Sequence, residues 1–386
     1  MSPHVPSAQT AGARRDTRGD AGARLYGAAE ALSVLERRGP ADRQEAARHA
    51  AELLVRHVGP ADWPAAGPPV PVVEPAEADA TAPAAERAPA GDRGALRLAH
   101  TAMSLRCSTL RAVERAPLWA GMAEFFAQVT SRAEPLLCRM QSVALDSRLE
   151  IGEASQEVVD GLSAIYEWYR DTYGHEAYLT SLGRTNLARA YRLRGAGTDL
   201  ADAEDLFRDE IAARTSRYGA EHPFALVARN MLARCLLARA EAASDPGERR
   251  SLARQAYVEA DSVRAARDLL YGVTASNAVL SRRLQGHALL LLGGPEDLHR
   301  ARACLQYVLA FETARNGNTE WRGSGQTHLL LARAYLALGD KGSALHHAGS
   351  ARRLLVADNP GGASCRKAEA LLHELRAGET GPPRSA

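Results

Sequence analysis

From residue 173 onward, Tyr-Gly or Asn-Gly pairs divide the chain at long and nearly equal intervals. The pairs begin at residues 173, 218, 271 and 316, so the intervals are 45, 53 and 45 residues. Each interval contains two runs of apolar residues at helical spacing, separated by a glycine-containing break. This pattern predicts stacked helical hairpins, because one hairpin cannot bury its apolar face alone.

The clearest copy of the repeat lies between His328 and Leu355 (HLLLARAYLALGDKGSALHHAGSARRLL). Small residues stand where its two helices would cross: Ala332 in the first helix, and Ala344, Ala348 and Ala351 in the second. The second interval is longer than its neighbours by eight residues, around 242–251. Because SDPG interrupts the helical pattern there, we expect the extra residues to form an exposed loop.

Two further segments carry a motif that points to a family. Residues 218–223 read YGAEHP and residues 228–233 read ARNMLA, and a second match joins YGH at 173–175 to TNLA at 185–188. This resembles the kinesin-light-chain type of tetratricopeptide repeat (TPR), in a bacterial, actinobacterial-type subtype. The resemblance covers roughly residues 155–357. It implies an all-α, right-handed α-solenoid of TPR helical hairpins that binds a protein or peptide.

Proline content and helical periodicity divide the rest of the chain. Eight of the 19 prolines lie between residues 59 and 93, so this segment is predicted to be an extended linker. The predicted order is a disordered tail (1–22), a tethered N-terminal helical hairpin (23–58), the linker (59–93), a helical N-terminal cap (94–134), TPR repeats with a degenerate first copy (135–360), a C-terminal capping helix (361–377) and a disordered tail (378–386).

Composition narrows the function classes. A net charge of +2 does not favour general nucleic-acid binding. Five cysteines lie 31 to 97 residues apart without a CxxC pair, which favours reduced thiols in a cytoplasmic protein. No signal peptide or membrane span is recognised. Motifs for catalysis, metal binding or phosphate cofactors are also missing, so we expect no enzyme activity, no metal and no cofactor.

The resemblance further implies which side chains face a ligand. In this family the ninth position of each first helix points into the concave groove, and the position two residues before the seventh also faces inward. The Leu-Ala dipeptide is taken as the seventh and eighth positions, which places mainly arginine and asparagine at the inward-facing positions. Guanidinium and amide groups suit carboxylates and peptide backbone, so the groove would bind an extended acidic peptide or a carboxylate terminus. The candidate ligand contacts are Arg189, Arg234, His287, Arg333, Thr185, Asn186, Asn230 and Arg283.

Alternatives remain open for these arginines. An arginine on a helix can form a solvated face without any ligand. A second set, one step around the first helices, can equally form ion pairs within its own repeat. That set is Arg184, Arg229 and Arg282.

The predicted function is an adaptor or a regulatory sensor that binds a protein or peptide. One alternative is an enzyme with a helical active site in residues 95–150, positioned by the repeats. Another is a DNA-binding regulator that acts through the hairpin at 23–58. Converging acids or histidines in a cavity would favour the enzyme, and a third helix with a basic face would favour the DNA-binding regulator.

The chain from Ala95 to Leu375 is expected to fold without residues 1–93, because the linker contributes no apolar core. Limited proteolysis, read by mass spectrometry, should cut first between Gly59 and Arg93. Protection of that segment would show that it packs against the repeats.

Overall fold

The computed structural model describes residues 112–129, 135–273, 276–316 and 322–377. All regular elements in these ranges are helical: twelve α-helices and a 3-10 turn at Arg322–Ser324. The predicted hairpin at 23–58, the linker and both tails lie outside the described residues. So do residues 94–111 and 130–134 of the predicted cap.

The chain divides into two compact units at Ser147, inside α2. In the first unit, Leu118 and Met122 of α1 and Leu137 of α2 have no exposed surface. The helices are α1 (Ala112–Val129), α2 (Pro135–Glu150), α3 (Gln156–Tyr173), α4 (Tyr178–Arg194), α5 (Asp199–Tyr218), α6 (Pro223–Ala242), α7 (Pro246–Tyr271), α8 (Ser276–Leu292), α9 (Pro295–Asn316), α10 (Gly325–Ala337), α11 (Lys341–Asp358) and α12 (Ala363–Ala377).

In the second unit, each helix from α3 to α12 packs against the next one along the chain. The first helices of the hairpins, α4, α6, α8 and α10, also contact one another in order. This is the contact pattern of a solenoid, in which each repeat covers the apolar face of its neighbour. The predicted all-α solenoid of helical hairpins is therefore confirmed. The predicted capping helix is present as α12, and it buries Ala368 and Leu372 against the last hairpin.

The recurring Tyr-Gly pairs mark the points where a second helix ends. Gly174, Gly219 and Gly272 follow α3, α5 and α7 with φ of 84°, 93° and 84°. Glycine adopts such positive φ values without steric penalty, so it is the residue that suits these positions. The amide of Gly219 still donates to the carbonyl of Thr215 at 2.9 Å, which closes the last turn of α5.

The His-Pro motif builds the next turn. The His222 ring stacks on the Tyr218 ring with centroids 4.8 Å apart, and its Nδ1 accepts the backbone N–H of Phe224 at 3.2 Å. Pro223 occupies the first turn of α6, where its missing N–H breaks no helical hydrogen bond. The YGAEHP motif is therefore a connector between hairpins.

The eighth position of each first helix is the point of closest approach. Ala188, Ala233 and Ala332 have no exposed surface there, and the third repeat has Gly286. A Cβ on Gly286 would lie 2.8 Å from the Leu305 Cγ of α9, too close for an undistorted contact. The neighbouring ninth positions are therefore carried on helices whose packing tolerates little adjustment.

The extra residues of the second interval do not form the expected loop. Helix α6 ends at Ala242 and α7 begins at Pro246, so only three residues connect them. Asp245 caps the new helix by accepting the N–H of Glu248 at 2.7 Å. The additional length is found in α7, which has 26 residues against 20 in α5. The SDPG segment is a helix start, because Asp before Pro is a favourable cap.

A histidine pair joins α10 to α11. The Nδ1 atoms of His328 and His347 lie 2.9 Å apart, so one ring donates and the other accepts. The Tyr335 ring stacks on His347 at 5.4 Å. Burial, together with the charges that His328 and His346 would carry, lowers the pKa of His347 to about 4.

Ala188→Leu and Ala332→Leu are each expected to lower the free energy of unfolding by roughly 1–3 kcal/mol, because the added atoms overpack a closed contact. Chemical denaturation of each variant measures the change. Ala212→Leu, on the exposed side of α5, is the control and should unfold like the wild type. Unchanged stability of the two buried variants would contradict this assignment of the helix contacts.

Stability should also fall as the pH is lowered from about 6.5 to about 4. The unfolded chain protonates His347 near 6.5 and the folded chain only near 4. Protons therefore bind the unfolded state preferentially in this window, and solvent screening keeps the loss below the roughly 1.4 kcal/mol per pKa unit of a fully shielded group.

In His347→Gln, stability should change less with pH than in the wild type. Thermal unfolding of both proteins between pH 6.5 and 5 measures this. His299→Gln, at an exposed position on α9, should keep the wild-type dependence. Equal slopes for all three proteins would show that His347 titrates normally in the folded chain.

Candidate functional site

The first helices of the repeats line one face of the second unit, which we call the inner face. Glu241, at the end of α6, contacts Arg333 of α10 and Lys367 of α12 across this face. Side chains from α6 and α12 can meet only if the face curves inward. The inner face is therefore concave in this part of the solenoid.

Four arginines of α4, α6 and α8 lie near one another on the inner face. We call this group the arginine cluster; it consists of Arg189, Arg192, Arg234 and Arg283, all half-buried. Burial, and then the charges of the other three, lower the pKa of Arg234 to about 10. Burial and Arg189 likewise lower the pKa of Arg192. Arg234 therefore lies within electrostatic range of the other three guanidinium groups.

The arginines of the cluster differ in their partners. Nη1 of Arg283 lies 3.4 Å from Oε1 of Glu312. Within the described part of the chain, no carboxylate acts on Arg192 or Arg234, and Nε of Arg192 is buried without a hydrogen-bond partner. Two half-buried cations are thus left without a described counter-charge, an arrangement that favours an anion.

The remaining ninth positions, His287 and Arg333, belong to a different group. Oε1 of Glu241 lies 3.1 Å from Nε2 of His287 and 2.9 Å from Nη1 of Arg333, and Oε2 lies 2.7 Å from Nζ of Lys367. Burial opposes ionisation of Glu241, but the hydrogen bonds and charges of His287 and Lys367 outweigh it. They hold the pKa of the carboxyl well below its usual range. These residues form the Glu241 cluster.

Asn186 and Asn230 are buried, whereas Thr185 is half-buried and contacts the second helix of its own hairpin. Asn230 is buried and donates from Nδ2 to Oγ of Ser281 at 3.1 Å, which links α6 to α8. Thr185 accepts from Arg214 at 3.4 Å. Asn186 is buried on α4 with 7% of its surface exposed.

The second set of arginines forms ion pairs inside the fold. Arg184 has no exposed surface, and its Nη1 donates to Oε2 of Glu210 at 2.8 Å. Two more pairs join Arg229 to Glu259 at 2.9 Å and Arg282 to Asp268 at 3.4 Å. The Arg184 pair lies within the α4–α5 hairpin and the Arg229 pair within the α6–α7 hairpin, whereas the Arg282 pair joins α8 to the preceding α7. This set is therefore neutralised by the protein itself.

Three members of these clusters could not be assigned from the family register: Arg192, Glu241 and Lys367. Arg192 stands three residues after Arg189, which is one turn along the same helix face. Glu241 is the single acidic residue of α6. Lys367 is one of only two lysines in the chain. These are weak signals, because the contacts of Glu241 depend on the curvature of the stack.

The described ranges meet the requirements of neither a metal site nor a membrane-spanning helix. They contain no group of three or more His, Cys, Asp or Glu residues able to hold a metal ion. No described helix is both long and apolar enough to span a bilayer. A cavity of about 620 Å³ between α9, α10 and α11 is lined by His328, His346 and His347 together with Leu309, Leu331 and Leu354.

No protein-family model matches this chain, and no curated protein matches it. It is similar to two crystal structures, one of them of a variant, of a Podosopora anserina protein described as a kinesin light chain with nearly identical TPR-like repeats. Sequence identity is 22% and 21%, and each match covers 58% of this chain and 96% or 97% of the other, with a TM-score of 0.43. The contacts among its own helices identify the second unit as a solenoid of helical hairpins.

Proposed function

We propose that the inner face binds an extended acidic peptide and that the protein acts as an adaptor or regulatory sensor. The observation that carries this proposal is the arginine cluster, in which Arg192 and Arg234 have no described carboxylate partner. Holding like charges together on a half-buried surface is unfavourable unless an anion neutralises them. A peptide carboxylate supplies the charge and accepts two parallel hydrogen bonds from a guanidinium group.

The arrangement of the helices suggests the spacing of the ligand's charges. Arg189, Arg234 and Arg283 are carried by α4, α6 and α8, which pack side by side. Packed helices lie roughly 8–10 Å apart. An extended peptide advances about 3.3 Å per residue, so carboxylates about three residues apart would meet successive helices. An acidic residue at every third position is therefore the favoured ligand pattern.

Arg192→Gln combined with Arg234→Gln is expected to weaken binding of fluorescein-labelled hexaglutamate on the order of a hundredfold or more. Each partly desolvated arginine–carboxylate contact contributes roughly 1.5–3 kcal/mol, and about 1.4 kcal/mol corresponds to a tenfold change in Kd. Fluorescence anisotropy at low and physiological salt measures the affinity. Binding to the wild type should weaken as salt rises.

Arg250→Gln with Arg254→Gln is the charge-matched control, because it removes two exposed arginines from α7. This control should bind hexaglutamate like the wild type, and hexaglutamine should bind none of the three proteins. Circular dichroism establishes that all of them are folded. If the cluster variant kept wild-type affinity at both salt concentrations, the arginines would be a solvated face and the proposal would fail.

A further inference from the structure

The inner face holds a carboxylate that belongs to the chain itself. The carboxylate oxygens of Glu241 lie 2.7–3.1 Å from side-chain nitrogens of His287, Arg333 and Lys367. These three side chains come from α8, α10 and α12, and none lies on α6 with Glu241. Three groups from three separate helices therefore converge on one point, which has the geometry of a carboxylate-binding site.

The position of this site on the repeats relates it to the arginine cluster. His287 and Arg333 occupy the ninth positions of the third and fourth repeats, and Arg189 and Arg234 occupy those of the first two. One end of the face thus carries the arginine cluster, in which Arg192 and Arg234 have no described carboxylate partner. The other end carries the Glu241 cluster, which contains a carboxylate of the chain itself. Glu241 follows Arg234 by seven residues, which is about 10 Å along a helix.

We infer that His287, Arg333 and Lys367 form a second carboxylate subsite, which Glu241 occupies until an acidic side chain or terminal carboxylate of the ligand displaces it. The inference rests on the proposed function, because the ligand is the same acidic peptide. Replacing one carboxylate by another keeps Arg333 and Lys367 paired, and the released Glu241 carboxylate turns out into solvent from the last turn of α6. Glu241 thereby acts as an internal competitor that lowers the affinity of the unliganded chain.

Removal of the competitor tests the inference. Glu241→Gln is expected to bind fluorescein-labelled hexaglutamate about tenfold more tightly than the wild type at low salt. Glu241→Asp keeps the charge but shortens the side chain by one carbon, and it should give a smaller gain in the same direction. Glu248→Gln removes one exposed carboxylate from α7 and should leave the affinity unchanged. Thermal unfolding verifies that each variant is folded.

A double-mutant cycle separates displacement from a general change of charge. In the background of Arg333→Gln with Lys367→Gln, the tenfold gain from Glu241→Gln should disappear, because the subsite no longer exists. A gain that persists in this background would overturn the inference. So would an unchanged or weaker affinity of both Glu241 variants, since Glu241 would then be a strut that holds the stack in shape.

The two proposals fail in different ways. If the Arg192 and Arg234 substitutions weaken binding while the Glu241 substitutions change nothing, the second subsite is wrong and the peptide groove stands. If hexaglutamate binds neither the wild type nor Glu241→Gln, the groove itself is wrong, and the subsite falls with it.

Discussion

The close approach of neighbouring helices at the eighth position determines most of what the inner face can do. Ala188, Ala233 and Ala332 are completely buried there, and Gly286 takes the same place in the third repeat. Small residues let the helix backbones come near, and the next residue along each helix is then carried to the open side. This packing brings Arg189, Arg192 and Arg283 within electrostatic range of Arg234.

Two sets of arginines, only five residues apart on α4 and on α6, have opposite fates. Arg184 and Arg229 point toward the second helices and find carboxylates there, in Glu210 and Glu259. Removing one partner of a fully buried pair such as Arg184 and Glu210 typically costs about 3–5 kcal/mol, so that set serves the fold. Arg189 and Arg234 lie on the inner face, where Arg234 has no described carboxylate partner.

Much of the fold could be predicted from the repeat period, because helix length, glycine turns and small crossing residues are all local properties. The positive φ of Gly219 and the buried Ala332 follow from such local patterns. The extra length of α7 was misassigned because SDPG reads equally as a loop and as a helix start. At the site, the register indicated one row of ninth-position residues: Arg189, Arg234, His287 and Arg333. Glu241 separates His287 and Arg333 from the other two by binding them, through contacts across 46 and 92 residues that no local pattern encodes.

The Glu241 contacts also bear on how the chain folds. In an ideal solenoid each repeat touches only its neighbours, so repeats can unfold one after another from the ends. The link from α6 to Lys367 of α12 spans 126 residues and skips two whole hairpins. Contacts at such separation raise the contact order, which slows folding, and they couple the last repeats into one cooperative unit. A ligand that displaced Glu241 would release this coupling, so the far end of the stack would fray independently of the middle.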